Sequence, residues 1–436
     1  MLAFMGFAMI AVIVYLLVES KSTPAPVFTI VPIVAALIVG VPFTELIKFI
    51  KAGVGTTMPI AALFMFSIIY FSVMTDVGMF EPMVNYLVKK AGNNVVIITV
   101  ATGIIATVGH LDGALASTLL VTIPAMLPIY KKMNMRPVVL LLIIGAAMSV
   151  MNLVPWGGPV ARTAAITKID INVLWKMLIP VQIVGVGILM AVCVFLGIVE
   201  KKRGAGMSAE ALAAGQTAVV EEIDPKVAAL RRPKLLWFNI LLTVGVIGLM
   251  CFTKIELYAA FMMGLAVALV VNFPNPKDQT ARMKAHAPEA LQMATILISS
   301  GIFLGVLNGA KMMGAMAQSM LHIIPTFVGP YLHIVMGVLS VPIGILLGTD
   351  SFFFGVVPIA ISLGENFGIK PIDMANAMLI AKNYGVLVTP HAATTYLAIG
   401  LAGVELKELL YYCTPRLWLL ACISLVSAIL LGVIPL

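Results

Sequence analysis

Blocks of fifteen to twenty-five apolar residues recur along this chain, and each is long enough as a helix to cross a hydrocarbon core of about 30 Å. Backbone inside lipid must satisfy its own hydrogen bonds, so helix is the economical choice for every such block. Only 11% of the 436 residues are charged, whereas a soluble domain carries about 25%. Too few charges are present to coat a globule of this size. The expected fold is all-α and polytopic, in the plasma (inner) membrane, with lipid as a partner. The net charge of +8 does not indicate nucleic acid, because the basic residues sit in short loops between apolar runs, where they report topology. Cys193, Cys251, Cys413 and Cys422 lie inside apolar runs without metal-ligand spacing, so no cofactor and no metal of the protein's own is expected. The run 2–18 lacks a basic leader and a cleavage motif, and it reads as a retained first helix.

Ten membrane-crossing helices are expected, at 2–18, 27–48, 58–75, 138–151, 173–198, 235–252, 256–273, 290–307, 373–388 and 413–434. Two further apolar regions, 94–130 and 330–364, are each interrupted by a polar cluster, Gly109-His110-Leu111-Asp112-Gly113 and Gly348-Thr349-Asp350-Ser351. Such clusters are costly in lipid, so each region is expected to fold as a re-entrant hairpin whose tip lines a protein-enclosed cavity. A single kinked span is the plainer alternative. The polar stretch 200–234 divides the chain into halves 1–199 and 235–436, which resemble each other weakly but in order. Val73, Met79 and Met83 are answered by Val306, Met312 and Met316, the Asp112 cluster by Asp350, and Asn152-Leu153-Val154-Pro155 by Leu387-Val388-Thr389-Pro390. Five spans per half make the second repeat inverted. With both termini outside and 200–234 in the cytoplasm, most Lys and Arg face the cytoplasm. Inverted repeats with interrupted helices point to a secondary transporter, with substrate held between the repeats.

Each hairpin tip should present unpaired N–H groups and the positive end of a helix to an anion. The first tip offers Gly109, His110, Asp112, Gly113 and Ser117, and the second offers Thr349, Asp350 and Ser351. Capping of the following helix is the other role open to Asp112 and Asp350. Pro155, Gly157, Gly158 and Pro159 in one half, and Pro390 in the other, predict unwound segments over 152–163 and 389–395. These would turn Asn152, Thr389, Thr394 and Thr395 toward a ligand. Arg162 has a planar fork that matches a carboxylate, or it anchors at the interface. His110 and His391 occupy corresponding breaks; with Asp112 and Asp350 they are the candidates for carrying protons.

At these residues the chain resembles the citrate–divalent metal/proton symporter family (CitMHS) of the ion transporter superfamily. The likeness rests on GHLDG at 109–113, TIPAMLPIYKK at 122–132, NLVPWGGPVAR at 152–162, GTDSFFFGVVP at 348–358 and YLAIGLAGVEL at 396–406, and it spans essentially the whole chain. It implies proton-driven import of citrate, a small-molecule polycarboxylate, with Mg2+ or Ca2+ carried as part of a complex that Asp112 and Asp350 would contact. It also implies elevator-type motion and a homodimer. Ala114-Leu115-Ala116 follows GHLDG, so oxygen ligands for a hard cation are sparse there. Free citrate or another di- or tricarboxylate therefore stays open. A cation/proton antiporter or an oxyanion exporter on the same scaffold is the alternative within transport. An intramembrane hydrolase is disfavoured, because the chain holds no GxSxG elbow and no HExxH helix.

Overall fold

A computed structural model gives the fold and describes residues 1–19, 21–206, 228–253, 255–321, 325, 327–390 and 392–436. The described residues form eighteen α-helices and no strand. In the first half these are α1 (Leu2–Val18), α2 (Pro24–Ile38), α3 (Phe43–Asp76), α4 (Glu81–Ala91), α5 (Val95–Gly109), α6 (Leu115–Lys132), α7 (Pro137–Met151), α8 (Gly158–Thr167) and α9 (Ile171–Lys202). The second half holds α10 (Leu236–Phe252), α11 (Leu257–Asn272), α12 (Pro276–Gly309), α13 (Met312–Leu321), α14 (Leu332–Leu347), α15 (Val357–Glu365), α16 (Pro371–Lys382), α17 (Ala393–Ala402) and α18 (Leu406–Leu430). A π-helical turn, Ser351–Val356, leads into α15.

Helix starts follow local chemistry. Proline, which lacks the N–H that a first turn leaves unpaired anyway, occupies the opening of α2, α4, α7, α8, α12, α15 and α16. Asn94 caps α5 by accepting from the N–H groups of Val96 and Ile97, and Asp170 caps α9 in the same way. Lengths run in parallel through the two halves: α3 and α12 have 34 residues each, α8 and α17 have 10 each, and α5 and α14 have 15 and 16.

Several expected segments need correction. The stretch 27–48 is two helices, because Gly40 takes a positive φ of 83° and Pro42 follows, so α2 stops and α3 restarts. The stretches 58–75 and 290–307 are only the apolar ends of α3 and α12, whose polar N-terminal turns continue the same helix. At 1.5 Å per residue each runs about 51 Å, longer than a bilayer core is thick. The stretch 373–388 ends as α-helix at Lys382. By length and composition, six stretches among the described residues can cross a membrane: α3, α9, α12, α18, Pro233–Met250 and Gly329–Leu347. The other apolar helices have 10–17 residues.

The two longest helices, α3 and α12, cross with their backbones in contact. A Cβ on Gly53 would lie 1.9 Å from the carbonyl oxygen of Gly301, and one on Gly305 would lie 2.2 Å from that of Phe49. Only glycine permits this approach, which in lipid substitutes for the hydrophobic drive toward packing. Around the crossing, α1, α3 and α10–α12 share one apolar cluster with the π-turn and α15; α5–α7, the C-terminal part of α9 and α18 form another.

Candidate binding site

At the first tip α5 ends at Gly109, and the chain turns through Gly113 at a φ of 71° before α6 begins. Asp112 accepts from the Ala114 N–H at 2.8 Å and from the Ser117 hydroxyl, so it holds the turn. His110 is fully buried, with Nδ1 2.6 Å from Thr118 Oγ1 and Nε2 3.1 Å from Asn152 Oδ1. Its two ring nitrogens therefore tie the tip to the first broken segment. Trp156 adds a second tie by donating from Nε1 to the Leu111 carbonyl at 2.6 Å.

The broken segment is shorter than expected. Residues 152–157 leave the α-helix, with Gly157 as N-cap, but α8 resumes at Gly158 because Pro159 is acceptable in a first turn. The stretch 152–163 is therefore not unwound throughout, nor is it a surface loop, since 152–165 are buried. In the second half the preceding α-helix ends at Lys382 and α17 begins at Ala393, so Thr394 and Thr395 are helical rather than unwound. Thr389 Oγ1 donates to the Gly385 carbonyl at 2.8 Å, and Thr395 Oγ1 donates to the Thr389 carbonyl at 2.7 Å. Both hydroxyls staple the break beside Pro390. His391 lies outside the described residues.

Arg162 is no interface anchor. It is 5% exposed, and it donates from Nε (2.8 Å) and Nη2 (2.7 Å) to Asp350 Oδ1 at the second tip. Gly158 leaves room for this reach, since a Cβ there would sit 2.7 Å from Arg162 Nη1. Asp350 makes no capping bond to the turn it opens, so its carboxylate belongs to Arg162. Its neighbour Thr349 accepts from the ammonium of Lys382 at 2.6 Å, and Lys382 is fully buried beside the ring of Phe353. The hydroxyl of Ser351 is buried with no hydrogen-bond partner among the described residues.

These elements surround a cavity of about 290 Å³. Asp112, Gly113, Asn152, Gly158, Arg162, Thr349 and Thr394 all contribute to its wall. His110, Ser117 and Asp350 stand one hydrogen bond behind that wall, through Asn152, Asp112 and Arg162, whereas Thr395 is bonded to the carbonyls of Leu387 and Thr389 further back. Gly109 closes α5 and Gly157 leads into α8, both set back from the cavity. Two charged groups absent from the sequence expectation join the site. Glu289 of α12 lines the cavity, and Lys382 reaches it through Thr349. Lys382 had a signal, being a lone cation near the middle of an expected span. Glu289 precedes the apolar run 290–307 by one residue and read as loop. The cavity thus carries two carboxylates, Asp112 and Glu289, and a cationic group built on Arg162 and Lys382. An elongated ligand bearing both a cation and carboxylates suits that division.

A family model described as citrate transporter (CitMHS) matches residues 7–381. Among curated relatives, a citrate transporter of Bacillus subtilis (strain 168) is 36% identical over 408 residues, covering 94% of this chain and 93% of its own. An Mg(2+)/citrate complex secondary transporter of the same organism is 34% identical over 409 residues, with 94% and 93% covered. Among solved structures, the YdaH transporter of Alcanivorax borkumensis has a TM-score of 0.59 at 15% identity, covering 90% of this chain and 89% of its own. MtrF of Neisseria gonorrhoeae has a TM-score of 0.57 at 14% identity, with 88% and 83% covered. At such identities these two similarities speak for the fold alone.

Proposed function

The chain belongs to the citrate transporter family, and from that premise we propose that it imports citrate as a complex with a divalent cation, driven by protons. It is a multi-pass membrane transporter and not an enzyme. The observation that carries the finer reading is the cavity where the two tips and the first broken segment meet, lined by Arg162, Asp112 and Glu289. A bare tricarboxylate there would meet two carboxylates against one guanidinium. A bound Mg2+ or Ca2+ offsets that repulsion, and hard cations seek carboxylate oxygens. The sparse oxygen supply of the first tip is thus supplemented from α12. The cavity volume lies at the small end of ligand pockets, which suits a compact acid.

The parallel lengths of α1–α9 and α10–α18, and the glycines of positive φ at both tips (Gly113 and Gly348), support two inverted repeats with a hairpin in each. The transport cycle would then move the hairpins relative to the α3–α12 pair, as an elevator, within a homodimer. Proteoliposomes holding the purified protein should accumulate labelled citrate under an inward proton gradient, more strongly with Mg2+ than with a chelator. Equal uptake with and without the gradient would remove proton coupling. A preference for chelated buffer would remove the metal complex.

A further inference from the structure

The charges around the second tip do not balance. Among the described residues, Asp350 is the one carboxylate paired there, and it accepts from Nε and Nη2 of Arg162. Lys382, on α16, is 0% exposed and forms no ion pair among the described residues; its Nζ donates to the neutral hydroxyl of Thr349. Two neutral polar groups near it in the chain and at the tip, the side chains of Asn383 and Ser351, are buried with no hydrogen-bond partner among the described residues. Phe353 of the π-turn faces it with its ring, and Gly344 of α14 lies against its methylenes. Tyr384, on the turn after α16, bonds to Ser424 of α18, and His333 is bonded to the Pro435 carbonyl at the far end of α14. Were Lys382 protonated, two cations would share the carboxylate of Asp350, while Asp112 and Glu289 contribute the other carboxylates to the wall of the same cavity.

A buried charge without a partner is expensive. Arginine cannot shed its proton in a protein, whereas a buried lysine titrates readily. Building on the reading of the chain as a proton-driven citrate transporter, we infer that Lys382 is the group that carries the coupled proton. Lys382 is neutral while the cavity is empty. When a carboxylate of the cargo enters beside Thr349 and Arg162, the added negative charge makes an ammonium favourable, and Nζ takes one proton from the aqueous phase to which the cavity is open. Departure of the cargo leaves the ammonium uncompensated, and the proton leaves with it. One anionic group and one proton thus bind and dissociate together, with no redox or covalent step. Asp350 stays paired with Arg162 throughout. Asp112 and His110, bonded within the first tip, are left to shape it.

The test is proton uptake on binding, measured by titration calorimetry with magnesium citrate in two buffers of different ionisation enthalpy. Wild-type protein should take up about one proton per citrate bound at a pH where citrate itself is fully ionised, and its affinity should weaken about tenfold per pH unit upward through that range. Lys382→Arg, permanently charged, and Lys382→Met, permanently neutral, should each bind at saturation with a count about one proton lower. An unchanged proton count in either variant overturns the inference. So does a flat affinity profile in the wild type, which needs no variant to fold. Failure of wild-type protein to bind citrate at all strikes the underlying reading instead, so the two failures are distinguishable.

Discussion

Removing the carboxylate of Asp350 should damage the protein more than removing the guanidinium it holds. In Asp350→Leu the buried fork of Arg162 loses both of its bonds, at 2.8 Å and 2.7 Å, and keeps a charge it cannot shed. Breaking a buried pair from one side in this way costs about 3–5 kcal/mol. In Arg162→Met the carboxylate remains, and Lys382, whose Nζ bonds the neighbouring Thr349, can take up a proton to replace the lost partner. That loss should amount to about 1.5–3 kcal/mol, the worth of one charge-assisted hydrogen bond. The double variant leaves neither charge stranded and should return to within about 1 kcal/mol of wild type, as apolar replacements of buried pairs often do. Titrating the purified proteins with SDS in mixed micelles reads these differences from the unfolding midpoints. All three variants should lose proton-driven citrate uptake, the stable double variant included, which separates folding from transport. An Arg162→Met protein as unstable as Asp350→Leu, or a double variant no better than Asp350→Leu, would refute the charge accounting.

Further expectations concern other parts of the molecule. Gly53→Ala would force α3 and α12 about 1.5 Å apart to restore ordinary contact with the Gly301 carbonyl, an overpacking cost of about 1–3 kcal/mol. Gly55→Ala, with nothing within 4 Å, should unfold at the wild-type temperature in the same thermal scan. Glu289→Gln should shift preference away from magnesium citrate and toward free citrate, read as a fall in the ratio of uptake with Mg2+ to uptake with a chelator. Asn152→Ala strands His110 Nε2 in a buried site, which costs about 1–3 kcal/mol of stability, and it should lower uptake in proteoliposomes by loosening the first tip.

The fold class was legible because hydropathy alone decides which segments avoid water, and the interruptions at 110–113 and 348–351 stood out as polar clusters in apolar surroundings. Boundaries were harder. The split at Gly40 and Pro42 lies inside a run whose hydropathy hardly changes, so the start of α3 was joined to α2, and the charged start of α12 read as a loop although its residues are mostly good helix formers. The pairing of Arg162 with Asp350 spans 188 residues, and no local pattern encodes it. Proline was misleading in one respect: Pro159 read as a helix breaker, but two residues after the N-cap Gly157 it is a helix starter. Lys382 was visible in the sequence and passed over, since a lone cation in an otherwise apolar stretch reads as noise until its surroundings are known. The crossing of α3 over α12 was hidden for the opposite reason, because its glycines are three among 36.

Trp156 holds the first tip through the Leu111 carbonyl, lines the cavity, and packs its rings against Phe71, Phe261 and Trp175 at centroid separations of 5.6, 5.2 and 6.2 Å. The tip and the break beside it are therefore joined at this indole as well as through His110 and Asn152. Any rearrangement that parts them must strip that indole of its hydrogen bond or its aromatic neighbours. With Trp175, Trp237 and Trp418 replaced by phenylalanine, the ultraviolet emission of Trp156 would report, without an added dye, whether citrate parts the tip from the break.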